Sequence, residues 1–192
     1  MKHVDFNTVA TSAISALVPQ LKTAYLPALD LDLADATEEE AIASLLAPGR
    51  RRAFFMNAHC CNIRRHDENY AKAVAAAAML LPDGIGVELA GRMTGTKLTT
   101  NLNGTDLVPA LLAKAAQQNK SVYLFGGAPG TAEAAASTLV STIPGLQIAG
   151  TRDGYAGAHN ADAVIADINA SGADILLVAL GVPRQELWLH EH

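Results

Sequence analysis

Residues 121–130 read SVYLFGGAPG, an apolar run that ends in two glycines and leads into a helical pattern. A short apolar run bounded by turn residues is typical of a buried strand. Pro129 stands where a proline is tolerated in the first turn of a helix, and the pattern continues to about residue 142. The stretch therefore predicts a strand, a tight glycine turn and a helix whose N-terminal amides could hold a pyrophosphate.

The same alternation of strand and helix extends from this stretch in both directions. Thr37 and Glu40 have the spacing of a capping box, which predicts that a helix begins at residue 37 and ends near residue 46. The other predicted strands are 53–56, 79–81, 146–149 and 174–180, and the other predicted helices are 67–78, 87–93, 105–118 and 160–170. Strands separated by helices predict an α/β fold, a Rossmann-like doubly wound and mainly parallel sheet with helices on both faces.

Ligands of such sheets bind beyond the carboxyl ends of the strands, so the residues that follow each strand are the candidates for chemistry. Asp83 follows a strand within PDGIG, which is either ordinary turn sequence or a carboxylate placed to accept a proton from a hydroxyl nucleophile. Gly126 and Gly127 form either a turn needed for close packing or part of a phosphate site. Arg184 and Gln185 offer donors for phosphate and sugar hydroxyls, or belong to a solvated first turn of helix.

Composition narrows the class of protein. The formal net charge is −5, which argues against nucleic acid as a partner because duplex binding needs clustered Lys and Arg. No apolar stretch is long enough to span a membrane, and the N-terminus has no signal-peptide pattern. Cys60 and Cys61 are adjacent and form no disulfide framework, so a cytoplasmic setting is expected.

Two groups of residues resemble metal ligands only weakly. Asp30-Leu-Asp32 has a D-x-D form, but surface alternation along an edge strand explains it better than a metal site does. His59, Cys60, Cys61 and His66 lack the paired spacing of a zinc site. We therefore predict neither a metal nor a cofactor.

Six segments, in order and at matching intervals, resemble the WecG/TagA/CpsF glycosyltransferase family. They are FFMNAHC, LPDGIGVELAGRM, NLNGTDLVPALL, VYLFGGAPGTAE, GLQIAGTRDGYAG and DILLVALGVPRQELW. The resemblance implies an inverting, metal-independent enzyme that moves a hexose or N-acetylhexosamine from a UDP-sugar. The implied acceptor is a polyprenyl-pyrophosphate-linked saccharide, used for bacterial surface polysaccharides at the inner face of the cell membrane.

The resemblance also assigns residues. Asp83 matches the general base of the family. The resemblance implies that Asn57 and Gln185 belong to the substrate pocket and that Gly126, Gly127 and Tyr155 line the nucleotide side. With the other polar and glycine positions of the matched segments, the predicted substrate-binding residues are Asn57, Gly84, Asn103, Gly104, Asp106, Gly126, Gly127, Arg152, Tyr155, Arg184 and Gln185.

The chain departs from the family pattern in three places. Residues 100–106 lack an arginine that many members carry, so Arg92, Arg152 or Arg184 would have to assist the leaving phosphate. Phe55-Met56 replaces a Thr-Pro pair, which removes a hydroxyl from the pocket. Both changes argue against N-acetylmannosamine, and the sequence NLNGTD at residues 101–106 resembles members that transfer a plain hexose such as glucose. The chain ends soon after Gln185, which predicts that residues 30–192 form the transferase domain without the C-terminal segment that meets the membrane. Residues 1–29 are then an N-terminal extension.

Two other functions stay open on the sequence. One is a non-catalytic protein that binds a nucleotide sugar. The other is an NAD(P)-dependent oxidoreductase, which the absence of G-x-G-x-x-G disfavours. The sequence also leaves a homo-oligomer open.

Overall fold

The computed structural model describes residues 21–155 and 160–192. Its strands are β1 (Thr23–Leu26), β2 (Leu31–Ala34), β3 (Ala53–Met56), β4 (Met79–Pro82), β5 (Ser121–Gly126), β6 (Gln147–Arg152) and β7 (Ile175–Ala179). Its helices are α1 (Glu38–Leu46), α2 (Ala58–His66), α3 (Glu68–Ala75), α4 (Ile85–Met93), α5 (Gly104–Gln117), α6 (Thr131–Thr142), α7 (Ala161–Ser171) and α8 (Arg184–Glu191). The predicted α/β class is confirmed.

The chain divides into two compact units, and the described strands hydrogen-bond as three sheets. The first unit contains residues 21–62 and 76–107, with an antiparallel hairpin of β1 and β2 and a parallel pair of β3 and β4. The second unit contains residues 63–75, 108–155 and 160–192, with a parallel sheet in the order β6-β5-β7. The expected parallel pairing is therefore present in both units.

The sheet of the second unit has helices on both faces, as predicted. Val122 and Leu124 on one face of β5 pack in a core with Leu112 of α5 and Ala132 of α6. Tyr123 and Phe125 point to the other face, where residues of α7 and α8 cover them. Because β6 and β7 flank β5 on opposite sides, the chain reverses its winding at β5, and a switch of this kind marks the usual ligand end of a doubly wound sheet.

In the first unit, β3 and β4 run side by side from the pair Ala53–Met79 to the pair Met56–Pro82. This register brings the residues that follow the two strands to the same edge. The hairpin of β1 and β2 turns at residues 27–30. The predicted boundary between residues 29 and 30 lies in this turn, and the division into an extension and a domain stays a prediction.

Helix α2 is absent from the sequence-based assignment. Its sequence, AHCCNIRRH, has few strong helix formers and carries no periodic apolar pattern. The helix forms because the Asn57 side chain accepts a hydrogen bond from the backbone N–H of Cys60 at 3.0 Å, which caps its first turn.

Some boundaries also differ from the predicted ones. Helix α3 ends at Ala75 rather than residue 78, because the N–H groups of Ala78 and Met79 donate to the carbonyl of Arg52 and start β4. Strand β6 continues to Arg152 rather than residue 149, because it pairs with β5 as far as Phe125.

Two helix starts were assigned to the wrong residue. Helix α5 begins at Gly104 rather than at residue 105, because the Asn103 side chain caps it. Helix α6 begins at Thr131 because Gly130, with a φ of 85°, precedes it in a left-handed conformation.

Candidate functional site

Asp83 lies directly beyond β4, half-buried, and its carboxylate is held from one side. The Asn57 side-chain amide donates to one carboxylate oxygen over 3.4 Å, and the backbone N–H of Asp83 donates to the carbonyl of Met56 at 3.0 Å. Among the residues that the structure describes, no other group donates to this carboxylate. One oxygen is therefore oriented, and the other is available to accept a proton or a hydrogen bond.

Gly84 fixes the turn that follows Asp83. Its φ is 88°, a left-handed conformation that favours glycine, and its N–H donates to the Asn101 side chain at 2.9 Å. Asn101 was not among the predicted site residues, since an asparagine in a coil carries no signal of a partner 17 residues away. Asn57, Asp83 and Gly84 are thus brought together as expected, with Asn101 as the residue that sequence reasoning missed.

The start of α5 lies in the same unit, with its polar side chains committed to the helix cap. The side-chain oxygen Oδ1 of Asn103 accepts from the backbone N–H of Asp106 at 3.0 Å, and the side-chain amide of Asn103 donates to the Asp106 carboxylate at 2.8 Å. A Cβ on Gly104 would lie 3.5 Å from the ring of Phe55, which places this helix start beside the end of β3. Asn103 and Asp106 therefore cap α5, Gly104 lies beside Phe55, and the substrate contacts of all three stay a prediction.

The predicted glycine turn in the second unit is a point of close backbone packing. Gly126 has a φ of 137°, and a Cβ there would lie 2.2 Å from the carbonyl oxygen of Ala179. The N–H of Gly127 donates to that same oxygen at 3.0 Å, and the N–H of Gly154 donates to the carbonyl of Gly127 at 2.9 Å. The Gly127 amide is thus already satisfied within the protein.

The unsatisfied amides lie one turn further on, at the start of α6. No side chain caps this helix at Gly130. The N–H of Thr131 donates to the carbonyl of Ala128 at 2.9 Å, and that of Ala134 donates to the carbonyl of Gly130 at 3.1 Å. Within the described residues, the amides of Ala132 and Glu133 have no acceptor outside the helix. These groups carry the partial positive charge of a helix N-terminus and suit an anionic phosphate.

The two predicted arginines of the second unit differ in availability. Arg152 lies 3.5 Å from the Asp167 carboxylate, which also accepts a hydrogen bond from the Tyr123 hydroxyl. Burial and this carboxylate raise the pKa of Tyr123 to about 12, so the hydroxyl keeps its proton and remains hydrogen-bonded to Asp167. Arg184 is exposed in the first turn of α8 and makes no ion pair with the described residues. Arg184 is therefore more available than Arg152 to bind a phosphate. Tyr155, the predicted aromatic residue of this site, lies three residues beyond the end of β6 and is exposed.

Both polar atoms of the Gln185 side-chain amide are hydrogen-bonded within the protein. Its oxygen accepts from the N–H of Gly181 at 3.1 Å, and its nitrogen donates to Glu186 at 2.8 Å. One N–H and one lone pair of Gln185 remain for a ligand. Glu186, the next residue of this first turn, is not solvated: its side chain is buried with 2% exposure.

Burial raises the pKa of Glu186, and the hydrogen bond from Gln185 opposes this only in part. Its second carboxylate oxygen has no hydrogen-bond partner within the described residues. A carboxyl group whose pKa is higher in the folded than in the unfolded chain contributes its full stability below the unfolded pKa. That stability is lost as the pH rises through the folded pKa.

Glu186→Gln is therefore expected to stabilise the protein more at pH 7.5 than at pH 4.5. Glutamine keeps the shape and the oxygen that accepts from Gln185, and it cannot ionise. The gap in unfolding free energy should widen by about 1.4 kcal/mol for each unit by which folding raises the pKa. Urea unfolding of both proteins across this pH range measures it.

Glu191→Gln, which removes an exposed carboxylate from the same helix, controls for the loss of one negative charge. A stability difference between wild type and Glu186→Gln that does not change with pH would show that Glu186 is not destabilised in its charged form.

No group of three or more His, Cys, Asp and Glu side chains that could hold a metal ion occurs in residues 21–155 and 160–192. Asp32 is exposed between buried Leu31 and Leu33, which is the alternation of a strand with one buried face. Cys60 and Cys61 are both buried and do not form a disulfide. In the same part of the chain, no helix is long and apolar enough to cross a membrane.

Comparison with known families identifies one that matches most of the chain. Residues 26–192 match the glycosyl transferase WecG/TagA/CpsF family. The chain belongs to this family. The match begins within β1 and includes both units, so the resemblance expected from the six sequence segments is confirmed.

Two curated relatives carry the same description, N-acetylglucosaminyldiphosphoundecaprenol N-acetyl-beta-D-mannosaminyltransferase. The protein from Bacillus spizizenii is 36% identical over 123 residues, which are 64% of this chain and 47% of that protein. The protein from Bacillus subtilis is 32% identical over 126 residues, which are 66% of this chain and 48% of that protein. The match thus spans about half the length of each relative.

Proposed function

We propose that this family member is an inverting, metal-independent glycosyltransferase. It transfers an N-acetylhexosamine or hexose from a UDP-sugar to a saccharide carried on polyprenyl pyrophosphate, at the inner face of a bacterial membrane. Family membership supports the reaction class. The observation that carries the mechanism is the Asp83 carboxylate beyond β4, oriented by Asn57 and open on its other oxygen.

Sugar transfer by inversion is a single displacement at the anomeric carbon of the donor. An acceptor hydroxyl oxygen forms a bond to the anomeric carbon of the donor while the bond from that carbon to the UDP oxygen breaks. The hydroxyl proton passes to Asp83, and the electron pair of the broken bond leaves with UDP. A carboxylate positioned for such a proton transfer accelerates a reaction by about 10²- to 10⁴-fold. Attack opposite to the leaving group inverts the anomeric configuration.

The leaving diphosphate needs positive charge as its bond breaks. The second unit offers two sources that need no metal: the uncapped amides at the start of α6, and the guanidinium of Arg184. Gln185, with its amide orientation fixed by Gly181 and Glu186, adds a hydrogen-bond donor for a sugar or phosphate oxygen. These groups support donor binding by the second unit.

N-acetylmannosamine is the leading candidate for the donor sugar, because both relatives are described as N-acetylmannosaminyltransferases. The sequence departures at residues 55–56 and 100–106 favour a plain hexose instead, so UDP-glucose is the main competitor. By the same names, the acceptor is a polyprenyl diphosphate that carries N-acetylglucosamine.

Two measurements test this function. A ligand that binds only the folded state raises the melting temperature, so we expect shifts with UDP and with one UDP-sugar, but none with NAD or ATP. We also expect UDP release that depends on a polyprenyl-diphosphate acceptor. A shift with NAD alone would show an oxidoreductase. Donor binding without any UDP release in the presence of the acceptor would show a non-catalytic nucleotide-sugar-binding protein.

A further inference from the structure

Helix α4 presents an apolar face that residues 21–155 and 160–192 leave uncovered. Ile85, Leu89 and Met93 are 73%, 55% and 79% exposed. Their spacing of four residues places them on one side of the helix. Six large apolar side chains are exposed in the described part of the chain, and half of them lie on these nine residues. When exposed apolar side chains cluster on one short helix, they indicate a contact surface, whereas single exposed apolar residues scattered over a protein do not.

The opposite side of α4 is packed, so the helix cannot turn this face inward. Val87 and Gly91 are buried. A Cβ on Gly91 would lie 2.7 Å from the carbonyl oxygen of Thr96 and 3.6 Å from Leu26. The close approach fixes the rotation of the helix. Ile85, Leu89 and Met93 therefore face away from the core of the first unit.

The position of this face connects it with the proposed reaction. Ile85 is two residues beyond Asp83, and the intervening Gly84 is held by Asn101. The acceptor named for the relatives is attached through diphosphate to undecaprenol, so its reactive sugar lies at the level of the lipid headgroups. If Asp83 reaches this sugar, helix α4, which begins two residues later, also lies at the level of the lipid headgroups.

We infer that the Ile85-Leu89-Met93 face of α4 inserts into the surface of the lipid bilayer that holds the acceptor. This inference rests on the proposed function. An amphipathic helix lies in the plane of the bilayer with its apolar face at the boundary of the headgroups and acyl chains, and basic residues at its edge meet lipid phosphates. Two basic residues lie near these phosphates in the proposed orientation. Arg92 is in the last turn of α4 and also pairs with Glu88, and the exposed Lys97 follows the helix.

The size of the face argues against a second copy of the chain as its occupant. A stable dimer interface involves roughly 20–30 residues on each partner. Helix α4 is only about 14 Å long, from its nine residues at about 1.5 Å each, and it presents three apolar side chains. A shallow insertion into lipid needs no larger surface.

The test measures partition of the full 192-residue chain onto vesicles of phosphatidylcholine and phosphatidylglycerol. Leu89→Ser should weaken partition about tenfold, and the triple variant Ile85→Ser/Leu89→Ser/Met93→Ser about 100-fold or more. Loss of one large aliphatic side chain from the lipid contact is expected to lower the partition coefficient by a factor on the order of ten or more. Val140→Ser is the matched control, because Val140 is 49% exposed but lies on α6, and this variant should partition like the wild type.

Any of four results would overturn the inference. The wild type does not partition onto the vesicles, the triple variant partitions equally well, or sedimentation shows a wild-type dimer that the triple variant loses. Binding that survives in the triple variant and disappears at high salt would assign the membrane contact to charges alone, which also contradicts it.

A transfer assay separates this inference from the proposed function. With an acceptor on a short, water-soluble lipid, the triple variant should work as fast as the wild type, and with a long-chain acceptor in vesicles it should be slower. Absence of transfer by the wild type on both acceptors would reject the proposed function, while the vesicle measurement still decides the membrane contact.

Discussion

Asp83→Asn is expected to lower kcat for sugar transfer by about 10²- to 10⁴-fold, the usual contribution of a positioned general base. Asparagine keeps the shape of the side chain and an oxygen that can accept from Asn57, so the turn beyond β4 should stay intact. The amide cannot take the acceptor's proton at neutral pH. Donor affinity should change little, because the groups proposed to hold UDP belong to other elements. Steady-state transfer kinetics and UDP titration measure the two quantities.

Asp32→Asn is the matched control for this experiment. It removes the same charge from an exposed carboxylate of the first unit, on β2, and should leave kcat unchanged. If Asp83→Asn turned over as fast as the wild type, the assignment of the base would be wrong. If it lost UDP affinity to the same degree as kcat, Asp83 would instead contribute to binding the donor.

Gly126→Ala is expected to produce the largest loss of stability of any single methyl addition proposed for this chain. The new Cβ would meet the Ala179 carbonyl at 2.2 Å, in the strand paired with β5, and the backbone at residue 126 has a φ of 137°. A strained backbone and an overpacked contact each cost about 1–3 kcal/mol, so the sum is about 2–6 kcal/mol. Urea unfolding followed by the fluorescence of Trp188, which packs against Phe125, reports on this part of the sheet.

Gly130→Ala separates strain from crowding. Gly130 also has a positive φ, 85°, but nothing lies within 4 Å of the position where a Cβ would be added. Its cost should be about 1–2 kcal/mol, the penalty of a left-handed conformation for an L-residue. If the two variants were equally stable, the close approach of Gly126 to β7 would not be a determinant of the fold.

Most elements of this protein could be predicted from local signals, because those signals act over a few residues. The capping box of Thr37 and Glu40 forms as expected, with both of its hydrogen bonds present. Short apolar runs predicted β3, β5 and β7 to within a residue or two. Helix α2 escaped prediction, since it depends on the single cap from Asn57 and not on a periodic apolar pattern.

The choice of strand partners could not be predicted in the same way. An apolar run indicates that a strand is buried, but it does not say which strand lies beside it. β3 pairs with β4, while β5 lies between β6 and β7 in a separate sheet. Pairing depends on how helices of particular length cross over the sheet, which is a property of the whole chain.

The sequence by itself determined the family, the α/β class and the placing of Asp83, Gly126 and Gln185 at strand or helix ends. These follow from residue order, which a linear pattern records. Only the tertiary structure decided which of their polar groups are available. The Gly127 amide is bound by Ala179, the Arg152 guanidinium lies beside Asp167, and Glu186 is buried against Gln185. Most buried hydrogen-bonding groups have partners in the folded protein. For Gly127 and Arg152 these partners are distant in the sequence, and the burial of Glu186 depends on the packing around α8, so folding alone decides all three.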